Sequence, residues 1–164
     1  MRDYILVEGD LLDADVDFIC HQVKCQGKKR SGVAKAIRER YPKVYEQYMW
    51  LYNGSKGQDL LGKIQIVPLY SEMSQFKANN KSPYACINMF AQNNYGYDGK
   101  QYTSLEAFKS CLEMINKHGW NKTVAFPWKI GCVRGGADWE IVLNMICTEL
   151  TDVKSITFYK LDLG

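Results

Sequence analysis

The sequence predicts an α/β sandwich built on a largely buried, mixed sheet. Three observations predict it. Short apolar runs of strand character alternate with longer runs of helical period along the 164 residues. Several of the short runs are apolar throughout, as strands covered on both faces are. One of them, Thr123-Val124-Ala125-Phe126-Pro127-Trp128, leads through the glycine-rich stretch Lys129 to Asp138 into the apolar-periodic run Trp139 to Leu150. That is a strand, loop, helix unit.

The elements follow in order. Tyr4 to Val7 is a first strand, bounded by Glu8-Gly9-Asp10, and Val16 to Val23 a second. The polar loop Cys25 to Gly32 leads to a helix from Val33 to Tyr41, where Val33, Ala34 and Ile37 share one face and Pro42 is the stop. Val44 to Tyr52 forms another helix, ended by Asn53-Gly54. Lys63 to Leu69 alternates as a strand, with Pro68 near its end. Ser71 to Lys81 reads as a loop, Tyr84 to Phe90 as a buried strand, and Gln92 to Gln101 as a loop rich in Asn, Gly, Tyr and Asp. Thr103 and Glu106 have the spacing of a capping box. Leu105, Phe108, Leu112 and Ile115 then form a helical face, with Gly119 at the C′ position. Ser155 to Leu161 closes the chain as a strand. No repeat or linker divides it, so residues 1–164 are expected to form one domain.

Composition narrows the function. A 46% hydrophobic chain with 11 Tyr, 6 Phe and 4 Trp can bury a core and still offer rings to stack a base. The net charge of +3 is too small for a nucleic-acid coat. The six cysteines (Cys20, Cys25, Cys86, Cys111, Cys132 and Cys147) form no C-x-x-C pair and mostly sit inside apolar runs. With only His21 and His118 besides, neither a metal site nor a cofactor is expected. The N-terminus has no signal-like apolar region and no run is long enough to span a membrane; a cytoplasmic, reduced location is the expectation.

Ligands of open α/β sheets lie beyond the carboxyl ends of the strands. The loops after Val7, Val23, Met89 and Trp128 are therefore expected to converge on one cleft. Gly131, Gly135 and Gly136 let the last of these turn with positive φ and approach a ligand closely, and its amides, with the following helix N-terminus and Asp138 as N-cap, suit a phosphate. The spacing is neither the dinucleotide fingerprint nor the P-loop. No Ser–His–Asp set, Cys–His set or carboxylate pair stands out. The residues by themselves describe a pocket for a nucleoside diphosphate and leave the reaction open.

Gly9-Asp10-Leu11, the run His21-Gln22-Val23-Lys24-Cys25-Gln26-Gly27 with Ser31-Gly32-Val33-Ala34, and Ile130-Gly131-Cys132 with Gly135-Gly136-Ala137-Asp138-Trp139 together resemble the macro domain family over essentially the whole chain. The branch most similar holds the ADP-ribose-1″-phosphate phosphatases and the terminal ADP-ribose glycohydrolases. The resemblance implies a three-layer α/β/α sandwich around a mixed six-stranded sheet, with ADP-ribose as the ligand. Gly9, Asp10, Leu11 and Tyr159 would take the adenine side. Gly131, Cys132, Val133, Arg134, Gly135, Gly136 and Ala137 would cradle the diphosphate. Gln22, Ser31, Gly32, Val33 and Asn88 would surround the distal ribose, where His21 and Lys24 are the candidate catalytic residues.

The chain departs from the family at three places. Lys24 stands where Asn is common, Lys28-Lys29-Arg30 where a small glycine-bearing stretch is common, and Phe90-Ala91-Gln92 where the glycohydrolase branch has its nucleophilic lysine. The covalent mechanism is therefore not expected to transfer. The leading expectation is hydrolysis at the distal ribose of an ADP-ribose derivative: a 1″-phosphate, an O-acetyl ester or a protein ester. Water would attack, polarised by the ligand's phosphates and His21, while loop amides and Lys24 stabilise the leaving oxygen. Lys24 has two possible roles, a cation facing an anionic substituent and a depressed-pKa nucleophile; the first is favoured because phosphates keep an ammonium charged. The alternatives are a binding module without turnover and a hydrolase of ADP-ribosylated nucleic acid, for which Lys28-Lys29-Arg30 would meet backbone phosphates. The expected partner is ADP-ribose or an ADP-ribosylated small molecule or protein; nucleic acid is not favoured, no membrane is involved and a monomer is expected.

Overall fold

The computed structural model describes residues 2–24, 32–55, 58–70, 83–92, 103–132 and 136–161, with the side chains of Lys24, Ser55 and Gln58 left aside. Six strands form one sheet: β1 (Ile5–Glu8), β2 (Phe18–Lys24), β3 (Ile64–Pro68), β4 (Ala85–Gln92), β5 (Thr123–Pro127) and β6 (Ser155–Lys160). Their order is β1-β6-β5-β2-β4-β3. All neighbours are parallel except β3, which runs antiparallel to β4 at the edge. This is the mixed six-stranded sheet the sequence led us to expect. Pro68 is tolerated because it ends an edge strand.

Among the described residues four helices cover the two faces: α1 (Gly32–Arg40), α2 (Pro42–Ser55), α3 (Leu105–His118) and α4 (Trp139–Glu149). Alternation along the strands divides the core between them. From β2, Phe18 and Cys20 pack with Phe108 and Leu112 of α3 and with Val142 and Ile146 of α4. Ile19, from the same strand, packs on the opposite face with Ile37 of α1 and Val44, and Val23 packs there with Tyr48 of α2. Every residue of β4 is buried, as befits a strand covered on both faces.

Several local expectations need correction. Pro42 stops the first helix, which ends at Arg40, and also opens the next, because its fixed φ suits a first helical turn and its missing N–H is no loss there. Ser104, not Thr103, is the N-cap of α3; its side chain accepts from Ala107 N. Gly119 ends α3 at φ −94 rather than in a left-handed conformation. A side chain at Gly119 would still be excluded, since a Cβ would lie 2.7 Å from Ile115 O. Two short 3₁₀ turns, Leu11–Asp13 and Gln58–Leu60, had no signal in the periodicity. Gln92, expected to start a loop, ends β4 instead; the rest of that loop, to Gln101, and the one expected at 71–81 lie outside the described residues.

The opposite end of the sheet from the site is stapled by Asp17. Its carboxylate accepts from Thr123 N at 2.9 Å and from Thr123 Oγ1 at 3.0 Å, and its carbonyl accepts from Tyr84 N and Ala85 N. One residue thus joins the starts of β2, β4 and β5.

Candidate nucleotide site

Because β1, β2, β4 and β5 are all parallel, their carboxyl ends open on one edge of the sheet. After β2 the chain turns to one side, to β3 and β4; β5 and β6 lie on the other side. The boundary between β2 and β5 is therefore the switch point at which such sheets bind ligands. There the two strands pair only through Phe18 with Val124 and Ile19 with Ala125, although β2 continues to Lys24 and β5 to Pro127. Beyond that pairing no ladder joins them, and the loop after β5 folds across the opening.

At one end of this opening Gly9, Asp10, Leu11 and Tyr159 come together. Gly9 N donates to Lys160 O, and the Tyr159 ring lies 3.6 Å from where a Gly9 Cβ would sit. Asp10 has the duty of a turn aspartate, the reading its place after the first strand favours by itself: its Oδ1 accepts from Leu12 N at 2.9 Å and caps the Leu11–Asp13 turn. Leu11 and Leu12 are buried beneath α1. The turn is held from α1 as well, by an Arg40–Asp13 ion pair and by Tyr41 Oη donating to Leu12 O at 2.8 Å.

In the middle runs the loop after β5. Gly131, at φ +79, and Gly136, at φ +72, adopt the left-handed region that favours glycine. Lys129 does the same at φ +61, a strained choice for a residue with a side chain and a candidate position the sequence analysis passed over. The Gly131 carbonyl is held from two sides, by Ala137 N at 3.2 Å and by Thr103 Oγ1 at 2.9 Å. Asp138 caps α4 by accepting from Glu140 N at 2.9 Å, as expected. Trp128 and Trp139 meet edge to face at 4.8 Å and pack on Phe158, which fixes the two ends of the loop against the core. Cys132 is half-buried in this loop; burial first, and the Asp138 carboxylate second, push its thiol up to about 11. Val133, Arg134 and Gly135 lie outside the described residues.

The third group is the end of β2. His21 is 1% exposed on the α2 face of the sheet, with Nε2 donating to Asn88 Oδ1. Asn88 is fully buried four residues before the end of β4, and its Nδ2 donates to Gln65 Oε1 at 2.9 Å. Gln65 continues the chain to Gln47 O in α2 at 2.8 Å. This polar line ties three strands to a helix beneath the end of β2, so both His21 and Asn88 sit within the sheet rather than at its open edge. Gln22 points to the other face. Its Nε2 donates to Gln92 Oε1 and to Thr103 Oγ1, each at 2.8 Å. Gly32, at φ +61, and the exposed Val33 open α1. Ser31 and the side chain of Lys24 lie outside the described residues; the Lys24 backbone pairs with Gln92 after a register shift in β2. Among the described residues no group of His, Cys, Asp and Glu is placed to hold a metal.

A mixed, mostly parallel α/β sheet with a switch-point opening, a glycine turn pinned across it and a capped helix behind that turn defines a nucleotide-binding α/β domain. The comparisons give the family. The Macro domain profile matches residues 20–146, and the chain belongs to the macro domain family. A DNA ADP-ribosyl transferase–DNA ADP-ribosyl glycohydrolase fusion protein of Thermosipho africanus is 24% identical over 157 residues, which are 91% of this chain but only 39% of that protein. Among solved structures, Thermosipho africanus DarTG in complex with ADP-ribose is similar, with a TM-score of 0.75 and 22% identity over 96% of this chain and 42% of that one. The macrodomain of Mycobacterium tuberculosis DarG has a TM-score of 0.71 and 24% identity, covering 96% of this chain and 98% of its own.

Proposed function

We propose that this chain binds ADP-ribose and hydrolyses the bond between the distal ribose and its substituent. One observation carries the reading. The Asp10 turn, the pinned Gly131 turn and the end of β2 stand in that order along the open edge of the sheet, which suits adenine, diphosphate and distal ribose in turn. Family membership and the ADP-ribose in the similar Thermosipho structure support the same ligand. Water is the nucleophile in this reading, since Phe90-Ala91-Gln92 supplies no amine where the glycohydrolase branch has one. His21 serves from within the sheet, by fixing the strand that ends in Lys24, and Lys24 meets the substituent as a cation.

A second reading differs only in the substituent. The Thermosipho relative is named a DNA ADP-ribosyl glycohydrolase, and Lys28-Lys29-Arg30 suits nucleic-acid phosphates, which favours an ADP-ribosylated nucleic acid as substrate.

Calorimetry with ADP-ribose and AMP tests the ligand. ADP-ribose is expected to bind at micromolar Kd, about −8 kcal/mol, and AMP far more weakly; equal affinities would remove the diphosphate assignment. Turnover of the 1″-phosphate, O-acetyl-ADP-ribose, an ADP-ribosylated protein and an ADP-ribosylated oligonucleotide then selects the substituent, with Lys24→Asn expected to weaken preference for an anionic one. Tight binding without turnover of any of the four would leave a binding module.

A further inference from the structure

We propose that Thr103 and Gln22 are positioning residues that set the shape of the Gly131 turn and so control affinity for a diphosphate. The inference rests on the reading of that turn as the phosphate site. Three separate pieces of chain meet at one hydroxyl, and a fourth, through Gln92, braces the group by accepting from Gln22 and by its bridge to Thr103. Gln22 comes from β2, Gln92 from β4, Thr103 from the segment that leads into α3, and Gly131 from the loop after β5. Thr103 is 2% exposed and its backbone bridges to Gln92, so it has little freedom to move. Its single hydroxyl has a fixed polarity: the Gln22 amide nitrogen can only donate to it, at 2.8 Å, and the Gly131 carbonyl can only accept from it, at 2.9 Å. The carbonyl held in this way also accepts from Ala137 N, which closes the turn.

The fit on the other side is equally close. Gln22 Oε1 is buried without a hydrogen-bond partner and lies 3.1 Å from where a Cβ on Gly131 would be, with Thr103 Oγ1 at 3.4 Å. A buried acceptor left in that state is costly, and here it abuts Gly131, whose φ of +79 disfavours any residue with a side chain. The Gln22 amide therefore acts as both donor, through Thr103, and wall, against Gly131. Since Gln22 precedes Lys24 by two residues, the same relay ties the distal end of the site to the turn. Thr103 is not needed as a helix cap, because Ser104 fills that role.

The test compares the wild-type chain with Thr103→Val, which keeps the shape and removes the hydroxyl, and Thr103→Ser, which restores it. Thr103→Val is expected to weaken ADP-ribose about tenfold while changing AMP by less than about twofold; Thr103→Ser should recover most of the loss. In the ligand-free protein, hydrogen exchange at the Ile130, Cys132 and Ala137 amides should speed up about tenfold in Thr103→Val, with the β4 amides little changed. Equal weakening of ADP-ribose and AMP, or no weakening, overturns the proposal, and so does unchanged exchange at those three amides. Gln22→Met, measured in the same two ways, removes the relay from its other end and decides the matter if Thr103→Val does not fold. Should the wild-type chain itself bind no ADP-ribose, the ligand reading fails, and the exchange data still report whether the relay holds the turn.

Discussion

Asp10 separates two duties that one carboxylate performs. Oδ1 caps the Leu11–Asp13 turn through Leu12 N, and the remaining oxygen is the group the proposed adenine amino donor would meet. Asp10→Ala removes both. Loss of an N-cap costs about 1 kcal/mol, which for a chain of this size lowers Tm by roughly 2–4 °C. Loss of a hydrogen bond to a charged acceptor costs roughly 1–3 kcal/mol of binding, or about five- to 160-fold in Kd. The residue is therefore not silent in stability, contrary to what a ligand contact alone would give. Asp10→Asn is the diagnostic variant. Its amide oxygen caps as well as the carboxylate does, to within about 0.5 kcal/mol, but its NH₂ then faces the adenine as a donor opposite a donor. The expected result is a near-native Tm together with at least about a tenfold loss of affinity. Because the contact is on the adenine side, AMP and ADP-ribose should weaken by the same factor. Thermal unfolding and calorimetry on the two variants measure this directly. If Asp10→Asn binds ADP-ribose as the wild-type chain does, Asp10 is a turn residue only, and the adenine end of the site is misplaced.

Two other predictions use residues with no shared duty. Asp17→Ala breaks two bonds to Thr123 at the far edge of the sheet and should lower stability by about 2–4 kcal/mol in urea unfolding while leaving the Kd for ADP-ribose unchanged; a change in Kd without a change in stability would contradict the placement of the site. Cys132 should resist alkylation although it is half-exposed. With its thiol pushed from 9.0 up to about 11, it carries about a hundredfold less thiolate at pH 8 than an unperturbed cysteine. Its rate with iodoacetamide should keep rising tenfold per pH unit up to about pH 10, and a rate half-maximal near pH 9.0 and level by about pH 10 would show that the loop does not bury the sulfur.

Much of the architecture was legible because periodicity reports burial. Among the described residues, the six strands and four helices lie where apolar spacing predicted them, to within a few residues. That the carboxyl ends of β1, β2, β4 and β5 share one edge of the sheet was also legible, since a chain alternating strand and helix makes parallel strands. Depth along a strand was not. Asn88 reads from the sequence as part of the segment leading to a ligand loop, yet β4 runs four residues further and buries it against His21. Strand period gives the face of a side chain but not its distance from the rim.

The sequence by itself determined the class of fold, the glycine turn ahead of α4 and the cap at Asp138, because each depends on the preferences of a few adjacent residues: burial period, positive φ, and an oxygen placed for the first open amides. Tertiary structure alone decided the rest. Thr103 and Ser104 offer two hydroxyls side by side, and a capping-box spacing favours the first. Only the approach of Gln22 and Gly131, 81 and 28 residues away in the chain, draws Thr103 into the site and leaves the cap to Ser104. A hydroxyl's partner depends on what packs around it, and that is set by the sheet order, which no local pattern contains.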